Sequence, residues 1–241
     1  QRRRQQLGPA HRVRDPAHAD AGDPVEYREG GAHQEPQFGV AQAFAPSDSK
    51  KADAALKAAL AINPQHVPSL LMVANEHIDS ERYDEAEKLL LQVITINPQH
   101  PQALAYRAVI AHLRNKLDVE KQFRTAALKS WPTNHEVDYL IGKKLSQKYR
   151  FAEGSAYQRQ ALKFDEKYLI AKTQLAQDLL RLGQEEEGLK LAEEVYEADG
   201  YNVLAHNLVT LQEHLAKFRT GSWCGWMLAK RTSMVSACSN F

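Results

Sequence analysis

The chain has 241 residues, 43% of them hydrophobic and 25% charged, with a formal net charge of +1. This is the composition of an ordinary globular protein, and so even a balance supplies no global field for nucleic acid or an anionic membrane. The two cysteines, Cys224 and Cys238, show neither CxxC spacing nor histidine neighbours, which excludes a disulfide framework and argues against a metal or redox centre.

Residues 1–48 carry no usable hydrophobic period. Arg2, Arg3, Arg4, Arg12 and Arg14 stand there without an acid among the first fourteen residues. No apolar stretch follows them, so the segment does not read as a secretory signal. A solvated tail is the default reading and a nucleic-acid-binding arm the alternative. Prolines and glycines, among them Pro36, Gly39 and Pro46, interrupt every candidate helix, so 1–48 is expected to be disordered or irregular. Helix formation is expected to start at Ser47-Asp48-Ser49, a capping sequence before Lys50–Ile62.

From there the chain is periodic. Pro64, Pro98 and Pro132 lie 34 residues apart, and the same grid reaches Glu166 and Gly200 within turn-forming sequence. Asn-Pro-Gln-His occurs in register at 63–66 and 97–100. Small residues recur at fixed offsets: Ala74, Ala108, Gly142 and Ala176 in one series, Ala52, Ala86, Gly154 and Gly188 in another. Such a period marks one supersecondary unit stacked repeatedly, here two helices that approach closely. Helix pairs are expected at 67–80 with 84–96, 101–114 with 118–130, 135–148 with 152–164, and 169–182 with 186–198. Residues 50–62 form a second helix without its first, and a solo helix spans 203–218. The pair spanning 101–130 is the most degenerate, with Arg107, Glu120 and Arg124 at positions that are apolar or small elsewhere, and its second helix, 118–130, is open to a slip in register. A one-residue slip there would put Phe123 rather than Arg124 in the core. The pattern stops after Phe218, leaving 219–241 as an irregular tail.

These features resemble the tetratricopeptide repeat family over residues 49–218. The fullest match is Val67 to Pro98, with Ala74, Tyr83-Asp84-Glu85-Ala86 and Asn97-Pro98 on consensus positions. The resemblance implies an all-α, right-handed α-solenoid whose first helices line a concave groove. It carries the inward positions onto Leu71, Asn75, Ala105, Val109, His112, Tyr139, Lys143, Ser146, Thr173, Gln177 and Leu180. Asn75 takes the place of an amide that bonds ligand backbone in peptide-clamping members. Leu71 stands where a clamp lysine is expected, so no C-terminal carboxylate ligand is predicted. The stretch 199–208 also resembles the junction at which large bacterial members of the family run into a zinc-peptidase-like domain. A strict array bounded by unpatterned ends suggests a fragment of a longer protein, with one or both ends translated out of frame.

Candidate chemistry is sparse. His66, His100 and His135 recur in inter-repeat turns, but stacked helices lie ~8–10 Å apart, too far for such residues to share a zinc ion. His135-Glu136 begins an HExxH pattern that fails at Tyr139, so the peptidase motif is absent. Gly142-Lys143 lacks the spacing of a phosphate loop and falls mid-helix. No cofactor or metal is expected, and no membrane or nucleic-acid partner. The expected function is non-enzymatic: binding of a peptide or protein partner in the groove through Leu71, Asn75, Val109, His112, Tyr139, Lys143 and Gln177. The alternative is a regulatory or substrate-presenting piece of a larger bacterial hydrolase.

Overall fold

The computed structural model describes residues 34–221, with side chains over 37–214. Eleven helices and no strand occur among the described residues. They divide into two compact units between Pro64 and Gln65.

The first unit is a hairpin of α1 (Gln34–Phe44) and α2 (Ser49–Ile62). Asp48 caps α2, its side chain accepting from the Lys51 backbone N–H at 3.1 Å. Ala41, Ala52 and Ala59 are fully buried, and Leu56 nearly so. Helix α1 occupies sequence that the proline and glycine pattern assigned to an irregular segment. The reason is positional. Pro36 is the third residue of the helix, where backbone N–H groups have no partner to lose. Gly39 costs only about 1 kcal/mol, and Pro46 lies beyond the last turn. Residues 1–33 and 222–241 lie outside the described residues.

The second unit is a right-handed α-solenoid of stacked antiparallel pairs. They are α3 (Val67–Asp79) with α4 (Tyr83–Ile96), α5 (Pro101–Leu113) with α6 (Leu117–Ala127), α7 (His135–Gln147) with α8 (Phe151–Phe164), and α9 (Leu169–Arg181) with α10 (Glu185–Ala198). Helix α11 (Val203–Gly221) follows.

The period is visible in the backbone itself. Glu81, Asn115, Tyr149 and Gly183, each 34 residues from the next, have positive φ of 62°, 58°, 62° and 76°. Beside each, a backbone N–H closes the first helix of the pair: Arg82 to His77 O, Lys116 to Ala111 O, Arg150 to Leu145 O and Gln184 to Leu179 O, at 2.8–3.0 Å. This is a Schellman-type stop. Only the fourth copy places a glycine there, and Asn115 tolerates the conformation. At the inter-repeat turns Asn97, Asp165 and Asp199 accept from the backbone N–H two residues on, at 2.9–3.1 Å. These bonds favour a turn over continued helix.

Small residues sit where the hairpins are tightest. Ala74 and Ala86 are fully buried. A Cβ on Gly142 would lie 2.8 Å from the Gly154 carbonyl oxygen, so that pair has no room for alanine. The degenerate stretch keeps the grid register: Glu120 and Ala127 are buried, and the one-residue slip does not occur. Phe123 is half-buried with the Arg107 guanidinium 4.1 Å from its ring centroid, and Arg124 pairs with Asp138. Helix α6 stops at Ala127, short of the expected 130. Trp131 replaces the turn-forming Asn or Asp there, and Asn134 caps α7 instead, accepting from the Glu136 N–H at 3.1 Å.

Candidate functional site

Helix α7 is the centre of the site. Glu136, Tyr139, Leu140, Lys143, Lys144 and Gln147 are spaced three, one, three, one and three residues apart, which places them on one stripe. Two hollows lie along it and share Leu140. The first, about 340 Å³, is formed by His100 and Gln102 at the start of α5, Glu136 and Tyr139 on α7, and Tyr168 ahead of α9. The second, about 270 Å³, is formed by Asn75 and Asp79 on α3, Tyr106 on α5, and Lys143, Lys144 and Gln147 on α7.

The first hollow is walled by aromatic rings. The Tyr139 and Tyr168 centroids lie 5.4 Å apart, edge to face, and the His135 and Tyr168 centroids 4.3 Å apart. Burial pushes the Tyr168 hydroxyl up to about 12, with the Tyr139 hydroxyl and the Glu136 carboxylate adding to the effect, so it remains a neutral donor. Burial pushes His100 below the ordinary histidine value, which keeps its ring neutral near pH 7. The Glu136 side chain is exposed and forms no ion pair among the described residues.

The second hollow contains a bond that no sequence motif announces. Lys144 is 4% exposed and its Nζ donates to Asp79 Oδ1 at 2.6 Å, across 65 residues of chain. Burial lowers the Lys144 ammonium pKa, and the bond to Asp79 opposes that shift. Lys148 adds a bond to the Asp79 carbonyl at 2.8 Å and to Glu81 at 3.2 Å. The buried Tyr106 hydroxyl donates to Asn75 Oδ1 at 3.2 Å, while Asn75 Nδ2 donates to Asp79 at 3.4 Å. The Asn75 amide is therefore tied to its neighbours on both sides. Lys143 has its Nζ 5.6 Å from the Tyr139 ring centroid and forms no ion pair among the described residues.

The other inward positions divide by depth. Tyr139, Lys143 and Gln177 are half-buried and present surface. Leu71, Ala105 and Val109 are core residues at 5%, 0% and 0% exposure. His112 is buried with its ring edge-on to Tyr157 of α8, centroids 6.2 Å apart, and Nε2 3.8 Å from Glu153. Burial and the nearby Arg150 both lower its pKa. The buried Ser146 donates to Asp178 at 2.6 Å, and Thr173 to the Leu169 carbonyl at 2.8 Å, so both hydroxyls serve the fold. Leu180 is half-buried against Gly188. Sequence offsets missed Asp79, Tyr106, Lys144, Glu136 and Tyr168. The adjacent pair Lys143-Lys144 on a first helix was the available signal, because neighbouring residues lie ~100° apart around the axis and a helix packed on more than one side can bury one of them.

No group of three or more metal-binding side chains occurs among the described residues, and no described helix is long and apolar enough to cross a membrane.

Residues 43–110 match the family model of the tetratricopeptide repeat. No curated protein matches the sequence. Among solved structures the chain is similar to a thermophilic tetratricopeptide repeat protein of Thermus thermophilus, at 16% identity and a TM-score of 0.56 over 74% of this chain and 97% of that one. It is also similar to the pilF protein of Pseudomonas aeruginosa, at 12% identity and a TM-score of 0.48 over 84% and 99% of the two chains. A third likeness is to PilW, a type IV pilus biogenesis factor, at 18% identity and a TM-score of 0.46 over 78% and 95%. The grid of turns, the close-packed small residues and the matched segment agree: residues 43–110 match the tetratricopeptide repeat, and the helix pairs that follow share its fold.

Proposed function

We propose that the chain is a non-enzymatic scaffold that binds a peptide segment of a partner protein along the inner face of α7. Proteins built of these repeats generally serve as interaction scaffolds. The observation that carries the reading is the pair of hollows joined at Leu140, with half-exposed Tyr139 and Lys143 between them. Tyr139 offers apolar area and a hydroxyl, and Lys143 an uncommitted cation. Asn75, held by Tyr106 and Asp79, and Gln177, farther along the array, are secondary contributors. The buried Leu71, Val109 and His112 support the wall rather than touch a ligand.

The test is a pull-down with the full chain as bait, followed by affinity measurement on the recovered partner. Tyr139→Ala with Lys143→Glu should weaken binding more than tenfold, about 1.4 kcal/mol or more, with helicity retained. The control belongs on the second helices. Glu85→Ala with Glu193→Ala suits it, because both side chains are exposed, whereas Glu87 and Glu194 are held by Arg107 and Lys172. Loss of binding in the control alone would place the partner on the opposite face.

A further inference from the structure

We propose that the ligand of the α7 face is an extended, polyproline II-like segment carrying opposite charges three residues apart, its basic side chain seated at Glu136 beside the rings of Tyr139 and Tyr168 and its acidic side chain at Lys143. This rests on the groove reading above and names the ligand that the face selects.

The argument is one of leftover charge. In the second hollow Lys144 and Asp79 neutralise each other, and Lys148 is engaged by Asp79 and Glu81. Lys143 is the charge that remains there. In the first hollow the lining tyrosines and Gln102 are neutral, and so is His100 near pH 7. Glu136 is the charge that remains there. The two hollows therefore present single charges of opposite sign on one helix stripe. A ligand with two acids or two bases meets repulsion at one end, whereas a mixed ligand is matched at both.

The chemistry of each end is specific. At Glu136 the carboxylate stands beside the rings of Tyr139 and Tyr168, whose centroids are 5.4 Å apart. A guanidinium or ammonium there gains an ion pair and an aromatic face together. At Lys143 the ammonium is steadied by the Tyr139 ring at 5.6 Å, with Leu140 supplying apolar floor to both hollows. Tyr139 thus serves both ends of the ligand.

The spacing follows from helix geometry. Glu136 and Lys143 are seven residues apart, about 10 Å along the axis at ~1.5 Å per residue. A polyproline II segment covers about 9 Å in three residues at ~3.1 Å each and, with three residues per turn, brings its first and fourth side chains to the same face. The preferred patterns are accordingly Arg-x-x-Glu or Glu-x-x-Arg, depending on which way the ligand runs.

The experiment titrates the full, isotope-labelled chain with capped hexapeptides containing Arg-Ala-Ala-Glu, Glu-Ala-Ala-Arg, Arg-Ala-Ala-Arg or Glu-Ala-Ala-Glu, and follows backbone amide signals. One mixed peptide should bind about fivefold more tightly than either like-charged peptide, with the largest shifts over residues 136–147. The swap variant Glu136→Lys with Lys143→Glu should invert the preference between the two mixed orders. Both side chains reach solvent, so the swap spares the core. Equal binding of all four peptides, an order preference the swap leaves unchanged, or no shift on α7 at millimolar peptide would each overturn the proposal. The groove reading fails separately: it falls only if Tyr139→Ala with Lys143→Glu leaves binding of the recovered partner intact.

Discussion

The hairpin α3–α4 and the block α5–α8 solve the same packing problem with different chemistry. In α3–α4 the positions between the helices are Ala74, Ala86, Leu90 and Val93, all fully buried. Nothing polar is needed, and the register rests on side-chain volume. In α5–α8 the corresponding small position is Glu120, 3% exposed, and Asp138 is buried completely. Each buried acid has a dedicated donor. Tyr157 donates to Glu120 at 2.5 Å, and Arg124 donates from two nitrogens to the two oxygens of Asp138 at 2.5 and 2.6 Å. Burial and that bond raise the Tyr157 pKa, so the phenol stays a donor. A departure from consensus is thus tolerated when a second departure supplies its partner. The apolar hairpin is fixed by shape and the polar block by pairing.

The sharpest way to break this contrast is to orphan one charge. Arg124→Ala leaves the Asp138 carboxylate buried without a counter-ion and should cost about 2–4 kcal/mol, read as a lower urea midpoint at unchanged m-value. Arg124→Leu with Asp138→Leu should recover most of the loss, since replacing a buried pair by apolar groups is often close to neutral. If the single change costs no more than a surface substitution, the polar block is not held by pairing.

A smaller effect probes the other region. Ala86→Leu forces a longer side chain into the seam opposite Ala74 and should cost about 1–3 kcal/mol, measured by thermal melting. The same substitution at exposed Glu85 should cost far less. Equal costs at the two sites would mean that the hairpin seam is not closely packed.

The smallest expected effect concerns a second buried acid. Asp178 accepts from Ser146 at 2.6 Å and from Gln174 at 3.0 Å, with Arg181 only at 4.0 Å. Burial raises its pKa above the ordinary aspartate value, and the hydrogen bonds only partly oppose this. A raised carboxyl favours the folded state while protonated. Its contribution is complete below the unfolded-state pKa and is lost as pH rises through the folded value. Asp178→Asn should therefore match or exceed the parent near pH 7, with the difference shrinking as pH falls toward the ordinary aspartate range. The check is a pH series of denaturation midpoints. A parent more stable than the variant at every pH would show that the carboxylate is held by pairing, as Asp138 is.

Sequence pattern reached some of this and not the rest, for physical reasons. The 34-residue grid located the turns because each depends on local backbone chemistry: a left-handed residue at 81, 115, 149 and 183, and an Asn or Asp at 97, 165 and 199. It misjudged α1, because a proline in a first turn looks like a breaker until the helix start is known. It overran α6, where Trp131 interrupts the turn series. In the groove, consensus offsets set the phase of a residue on its helix but not how deeply neighbouring helices cover it. Val109 and His112 are thus buried while Tyr139 and Lys143 reach solvent. Asp79 and Lys144, 65 residues apart, meet only through the stacking of three successive first helices.

That long bond changes how the array should come apart. A chain of repeats that touch only their neighbours melts like a one-dimensional lattice, with fraying from the ends and partly open states of graded stability. The clasp from α7 back to α3 adds an interaction between second neighbours. Opening the α5–α6 pair then also disturbs a bond between the pairs on either side of it. The stretch from α3 to α8 is expected to unfold as a single cooperative block, with the fraying confined to α9–α11. In hydrogen exchange the amides of α3, α5 and α7 would share one opening free energy, despite the differing chemistry of the packing around them.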